Sequence, residues 1–321
     1  MKKINKYTRR KFVKQSVFAG AFLPVASNFS NAPLMKPFKR DDQLEISVFS
    51  KHLQFLNYRD MAAAAADMGF DGVELTVRKG GHVEPRTVKE DLPKGVAAIK
   101  EVGLQSDMMV SDITELSIES RAVLETAANL GIKYYRLGYY RYPDKGSMPD
   151  ALKQFNLQMK ELAVINKDLG ILGCYQNHSG TGVGASMWEV WQLLEGIAAE
   201  SMGSQYDVRH AMVDGGNSWR NGFRLIKDRI KTLAIKDFRW EKINGKWSVI
   251  DTPLGEGTVD FVSYFRLLKE NDIKAPFVIH YEYDLFGAEH GSREIDKANQ
   301  KKVYAAMSKD LNLVRQWWKE A

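Results

Sequence analysis

Cysteine is almost absent from this chain. Cys174 is the only one among 321 residues, so no intramolecular disulfide framework can support the fold, even in an oxidising compartment. Beyond residue 32 there is no apolar stretch of 18 or more residues, which removes the sequence signature of a membrane-spanning helix. No glycine-rich phosphate loop follows the first strand-like run: after Phe49 the chain reads Ser50-Lys51-His52-Leu53, which argues against an open nucleotide-binding sheet. Solenoid repeats and low-complexity linkers are missing as well, so the 44% apolar content is assigned to a single large domain.

Acidic residues are missing from one place only, the first 32 residues. That segment carries Lys2, Lys3, Lys6, Arg9, Arg10, Lys11 and Lys14, followed by an apolar run from Val17 to Val25 that is too short to span a membrane stably. This is the pattern of a secretion signal, with residues 33–43 as a linker. Thr8-Arg9-Arg10-Lys11-Phe12-Val13-Lys14 resembles the twin-arginine export motif, which is read by a receptor and implies the export machinery as a partner of the precursor and a periplasmic location. The segment holds seven of the 46 basic residues and none of the 40 acidic ones, so its removal leaves a net charge of −1. The overall pI of 9.1 is thus largely a property of the signal, and the body of the chain offers no basic footprint for nucleic acid.

From residue 44 onward, short apolar or β-branched runs alternate with longer stretches of helical period. The expected strands are 44–49, 72–77, 104–110, 132–137, 171–176, 205–210, 231–236 and 277–283. Between the fourth and fifth lie Leu152, Phe155, Met159, Leu162 and Leu169, spaced to share one helical face. The other helices are expected near 58–68, 87–101, 117–129, 186–200, 218–228, 258–270 and 296–318. Gly69, Gly103, Gly131 and Gly170 each stand just before a strand, where a helix closing on a left-handed residue needs glycine. Eight strand–helix units predict an α/β fold, a single (β/α)8 barrel spanning 44–321.

Chemistry in such a barrel gathers at the C-terminal ends of the strands. Those ends are polar in this sequence: Glu74, Arg136, Gln176 and His178, Asp207 and His210, Lys236 and Asp237, His280 and Glu282. Any one of them reads equally well as a hydrogen-bonded barrel group or a solvated loop charge. Their joint occurrence points to a site.

Six stretches carry a family resemblance: Gly69-Phe70-Asp71-Gly72-Val73-Glu74, Tyr175-Gln176-Asn177-His178, Tyr206-Asp207-Val208-Arg209-His210, Ile235-Lys236-Asp237, Leu254 to Phe261, and Tyr281-Glu282-Tyr283. In this order, from about residue 44 to the end, they resemble the xylose isomerase-like sugar phosphate isomerases and epimerases. The resemblance implies one divalent cation held by a Glu, an Asp, a His and a Glu on strands five to eight, with the two glutamates moving substrate protons. It places Asp207 and Glu282 among the ligands and His210 on the substrate, but Gln176 stands where the first glutamate is expected and Ala234 where the histidine is. Gln offers a neutral carbonyl and no base, and Ala offers nothing. A cation (Mn, Mg or Zn) on Asp207, Glu282 and Gln176 therefore remains one expectation. Lys236 as a fixed cation for a developing enolate is the other.

The resemblance implies an isomerase or epimerase that removes a proton beside a carbonyl with Glu282 and His210; the strand ends add Lys236 as a catalytic candidate and His178, Arg136 and Glu74, together with Trp219, as groups that would hold a sugar. Export favours an unphosphorylated or oxidised sugar. With one of two bases replaced, a lyase or hydratase acting on a 3-keto-sugar or keto-glycoside is the second reading, and a non-catalytic sugar-binding barrel the third. Trp188, Trp219 and Trp240 are candidate stacking faces.

Overall fold

A computed structural model describes residues 44–321. The twin-arginine segment and the linker fall outside the described residues. Eight parallel strands close into a barrel: β1 (Ile46–Phe49), β2 (Gly72–Val77), β3 (Gln105–Ser111), β4 (Tyr134–Arg136), β5 (Leu172–Gln176), β6 (Met202–Asp207), β7 (Ile230–Ile235) and, after the antiparallel hairpin of β8 (Asp237–Ile243) and β9 (Lys246–Thr252), β10 (Phe277–Ile279). The last strand pairs with both β7 and β1, as in Ile46 opposite Phe277 and Leu233 opposite Phe277, which completes the ring. No helix among the described residues is long and apolar enough to cross a membrane.

The helices that cover the barrel start and stop where local chemistry directs. They are α1 (Tyr58–Met68), α2 (Val88–Glu101), α3 (Ile118–Asn129), α4 (Met148–Leu169), α5 (Met187–Leu193), α6 (Val208–Gly215), α7 (Trp219–Ile226), α8 (Phe261–Glu270) and α9 (Lys297–Glu320). Asn57, Ser117, Ser147, Ser186, Asp207, Asp260 and Asp296 each accept a first-turn backbone N–H through their side chains. At the other ends, Gly69 at φ +91° and Gly170 at φ +67° close α1 and α4 in the left-handed region.

Two expectations are corrected. Strand six runs over 202–207 rather than 205–210, because the Asp207 side chain accepts from the His210 backbone N–H at 3.0 Å and starts α6 there. The hairpin of β8 and β9 was not expected. Its turn, Asn244 (φ +49°) and Gly245 (φ +82°), has both central residues left-handed, which suits the twist of a two-residue hairpin.

Inside the barrel the layers differ in character. Phe49, Met108, Val110, Ala234 and Val278 form an apolar plug. A buried polar group shares the interior: Gln205 donates to Glu74 across the barrel at 2.9 Å, and His280 Nε2 lies 3.5 Å from the same carboxyl. The Leu254–Phe261 stretch is explained by Asp237, whose carboxylate accepts four backbone N–H bonds, from Phe238 (2.8 Å), Gly255 (3.0 Å), Gly257 (3.0 Å) and Val259 (3.1 Å). A Cβ at Gly257 would lie 2.2 Å from Asp237 Oδ1, so this approach demands glycine.

Candidate functional site

The strand ends bring together a compact charged array. Lys236, the residue after β7, sets its ammonium 3.2 Å from Asp207 Oδ2 at the end of β6 and 3.9 Å from Glu282 Oε1, three residues past β10. The second cation comes from the short 3-10 turn Ser50–Leu53 that follows β1: Lys51 Nζ lies 3.2 and 3.1 Å from the two oxygens of Glu282. Gln176, closing β5, donates its amide to Asp207 Oδ2 at 2.9 Å, and its carbonyl accepts from Arg136 Nη1 at 3.0 Å and from the Tyr139 hydroxyl. Asp207, Lys236 and Gln176 are buried, whereas the Glu282 side chain keeps 29% of its surface exposed and so faces the mouth.

A histidine pair borders this array. His210 Nε2 is 2.8 Å from Lys236 Nζ, and His210 Nδ1 is 2.8 Å from Ser179 Oγ. An ammonium and a guanidinium can only donate, and with Arg209 Nη1 2.9 Å from Nδ1 both ring nitrogens of His210 face a cationic donor. Arg209 also donates to Ser179 Oγ, at 3.0 Å, and is fixed by Asp251 on β9 at 2.6 Å, which ties the hairpin to the mouth. The His178 ring stacks at a tilt over His210, centroids 4.0 Å apart, and meets Tyr139 edge-on.

Electrostatics separate the acids from the bases. Burial works to raise the Glu282 pKa, but the charges of Lys236 and Lys51 and the hydrogen bonds from Lys51 overcome it and hold the carboxyl down at about 2. Burial lowers the Lys51 pKa, with Glu282 opposing. Burial and then the Lys236 charge push His178 down to about 4 and His210 well below the ordinary histidine range, so both rings are neutral at pH 7. Deeper in, burial lifts Glu74 to about 6 against the pull of Arg136.

Several sequence expectations change. Glu74 is 1% exposed and lies inside the barrel against Gln205 and His280. Arg136 is also buried and acts through Gln176 and Tyr139. Trp219 opens α7, edge-on to Tyr264 and beneath Arg220. It lines a groove of about 830 Å³ that also takes in Tyr142, Trp188 and Asp214. Lys51, Tyr139 and Asp251 are not among the expected site residues because each lies outside the expected strands, while Arg209 enters only as part of the Tyr206–His210 stretch. Lys51 was detectable, since it stands two residues beyond the C-terminal end of β1.

The expected cation on Asp207, Glu282 and Gln176 does not fit the donors present. A divalent ion needs oxygens with lone pairs converging on one point at about 2.0–2.6 Å. Here the Gln176 carbonyl is taken by Arg136 and Tyr139 and its amide N–H faces Asp207, while Ala234 contributes a methyl group. Both Glu282 oxygens accept from Lys51, and Lys236 stands between the two carboxylates. Among the described residues no three His, Cys, Asp or Glu side chains converge on a common point.

The profile of the xylose isomerase-like TIM barrel family matches residues 62–301. The chain belongs to this family. No curated protein sequence matches it. Solved structures similar to this family member include a 3-keto-D-glucoside 4-epimerase from E. coli (14% identity, TM-score 0.62, 84% of this chain and 100% of that one). A D-allulose 3-epimerase from Methylomonas sp., in complex with D-allulose, aligns at 18% identity with a TM-score of 0.64 over 86% of this chain and 97% of that one. A xylose isomerase-like barrel from Mycobacterium smegmatis in complex with magnesium aligns at 11% identity with a TM-score of 0.59 over 84% and 98%. At these identities the likeness establishes the fold alone.

Proposed function

We propose that this barrel is a sugar isomerase or epimerase that removes a proton from the carbon beside a carbonyl, with an unphosphorylated or oxidised sugar as substrate. The observation that carries the reading is the Lys51–Glu282–Lys236 array, a partly exposed carboxylate flanked by two ammonium groups. Glu282 takes the proton. The electron pair of the C–H bond becomes the C=C bond of an enolate, and the carbonyl oxygen, as it gains charge, accepts N–H bonds from Lys236. A carboxylate held at about 2 is a weak base in the resting site. Negative charge growing on the substrate oxygen offsets the lysine charges that hold Glu282 down, so the base strengthens as the proton moves. Neutral His178 supplies a hydrogen bond to a sugar hydroxyl, His210, with both ring nitrogens engaged, positions Lys236, and both rings are poorly suited to act as acids.

Gln176 cannot serve as a second base, so one carboxylate handles the proton. Glu282 can return it to the adjacent carbon while the hydroxyl proton on that carbon passes to the former carbonyl oxygen, which isomerises the sugar, or the enolate can expel a leaving group from the β-carbon, which makes the enzyme a lyase on a 3-keto-glycoside. Incubating the purified protein with aldoses, ketoses and 3-keto-glycosides in D₂O distinguishes these by NMR. Deuterium beside the carbonyl is expected, and Glu282→Gln should slow its incorporation about 10²–10⁴-fold. Binding without exchange or cleavage would make the chain a sugar-binding barrel instead. The export motif at Thr8–Lys14 supports a periplasmic site of action. Replacing Arg9 and Arg10 together by Lys should retain the precursor in the cytoplasm, and undiminished export would overturn that assignment.

A further inference from the structure

We infer that the ammonium of Lys236, supported by Lys51, is the resident cation of this site, and that the substrate oxygen is received by lysine N–H groups with no divalent metal between them. The inference rests on the proposed sugar chemistry for its substrate, but its structural basis is separate. Two carboxylates at a barrel mouth require positive charge, and here the chain supplies it covalently. Lys236 Nζ contacts Asp207 at 3.2 Å, His210 Nε2 at 2.8 Å and Glu282 at 3.9 Å, while Lys51 grips both Glu282 oxygens.

The surroundings are built for this arrangement. Ala234, two residues before Lys236, packs in the apolar plug with Phe49, Met108, Val110 and Val278 and offers no donor or ligand to the site. Gln176 presents N–H rather than an oxygen lone pair toward Asp207, an orientation fixed from behind by Arg136 and Tyr139. A glutamate at that position would add a third carboxylate, whereas the amide gives Asp207 Oδ2 two donors, Gln176 and Lys236. His210 contributes as well: its Nε2 faces Lys236 Nζ at 2.8 Å and helps to position the ammonium. Asp207 and His210 take two of the ammonium's N–H directions and Glu282, at 3.9 Å, is beyond hydrogen-bond reach, so the third N–H is aimed before the substrate arrives, which is the preorganisation that an electrophilic site requires.

The test measures cation binding and turnover on the purified protein. After dialysis against EDTA, titration with MnCl₂ followed by electron paramagnetic resonance should show no site tighter than about 1 mM, and proton exchange into sugars in D₂O should be unchanged by EDTA. The variant combining Lys236→Met, Ala234→His and Gln176→Glu should bind Mn at least about 100-fold tighter, because a methyl, an amide and a competing cation give way to ligands. Micromolar Mn binding by the unaltered protein, or exchange abolished by EDTA and restored by Mn, would overturn the inference. If no sugar exchanges under any condition, the proposed function fails, while the Mn titration of the unaltered protein still decides whether the site takes a metal. Should the triple variant not fold, that same titration remains decisive.

Discussion

Asp237 and Glu282 are two buried or half-buried carboxylates at the same end of the barrel, neutralised in opposite ways. Asp237 accepts four backbone N–H bonds and no side-chain cation, and burial still raises its pKa against those bonds. Glu282 has ammonium partners, and its pKa falls to about 2 in spite of burial. Backbone amides carry partial charges and are fixed by the chain, so they anchor a loop permanently. Ammonium groups on flexible stems carry whole charges and can transfer their hydrogen bonds to a substrate oxygen. The first arrangement is therefore read as architecture, binding the Leu254–Phe261 stretch to the end of β7. The second is read as chemistry.

The comparison breaks most severely at Asp237. Asp237→Ala should leave four backbone N–H groups without their acceptor, each costing about 1–3 kcal/mol when buried. With water reaching some of them, the loss of stability should be about 4 kcal/mol by urea denaturation. Glu282→Gln, in the partly exposed array, should change stability by less than about 1 kcal/mol. Equal losses for the two variants would show that the two carboxylates do the same work.

A smaller effect sharpens the other side. Lys51→Met removes one of the two charges that depress Glu282, so its carboxyl should rise from about 2 toward the ordinary value. Because the ionised form is the base, the acid limb of the pH–rate profile should move up by roughly one to two pH units. The stability contribution of this depressed pKa is present above the unfolded value and lost as pH falls through about 2, and it should shrink in the same variant. An unmoved acid limb would mean that Lys51 does not set the charge state of Glu282.

Much of this molecule was legible as pattern. The barrel was, because parallel strands buried on both faces and helices closed by Gly69 and Gly170 leave periodic signals. Asp207, Lys236, Glu282 and His210 were too, since each lies within a few residues of a strand end. Strand six slipped by three residues because Tyr206 to His210 looks extended until Asp207 is seen capping the next helix. The hairpin was missed although Asn244-Gly245 is a strong turn signal, because eight strands had already filled the barrel. The roles of Lys51, Tyr139, Arg209 and Asp251 were hidden for a different reason: their partners stand 231, 37, 30 and 42 residues away, and nothing local reports such distances.

The smallest effect concerns the carboxyl that the fold shuts away from both kinds of partner, Glu74. It is 1% exposed. One oxygen accepts from Gln205 at 2.9 Å, and the other lies 3.5 Å from His280 Nε2, with no closer polar partner among the described residues. Burial raises its pKa from 4.5 to about 6 despite Arg136, a shift worth about 2 kcal/mol. The sign follows from linkage: the folded state holds this proton more tightly than the unfolded state, so the stability it contributes is full below about pH 4.3 and is lost as pH rises through about 6. Glu74→Gln keeps an acceptor for Gln205, offers an amide N–H toward the neutral His280 ring, and cannot ionise. The variant should therefore gain about 1 kcal/mol over the parent at pH 7.5, the remainder being offset by the lost attraction to Arg136, and should match it at pH 4. Thermal unfolding of both proteins from pH 4 to 8 reads this directly. A variant that is less stable at pH 7.5, or a difference that does not change with pH, would mean that Glu74 is ionised and well paired in the folded barrel, and that the interior then tolerates a charge as readily as the mouth does.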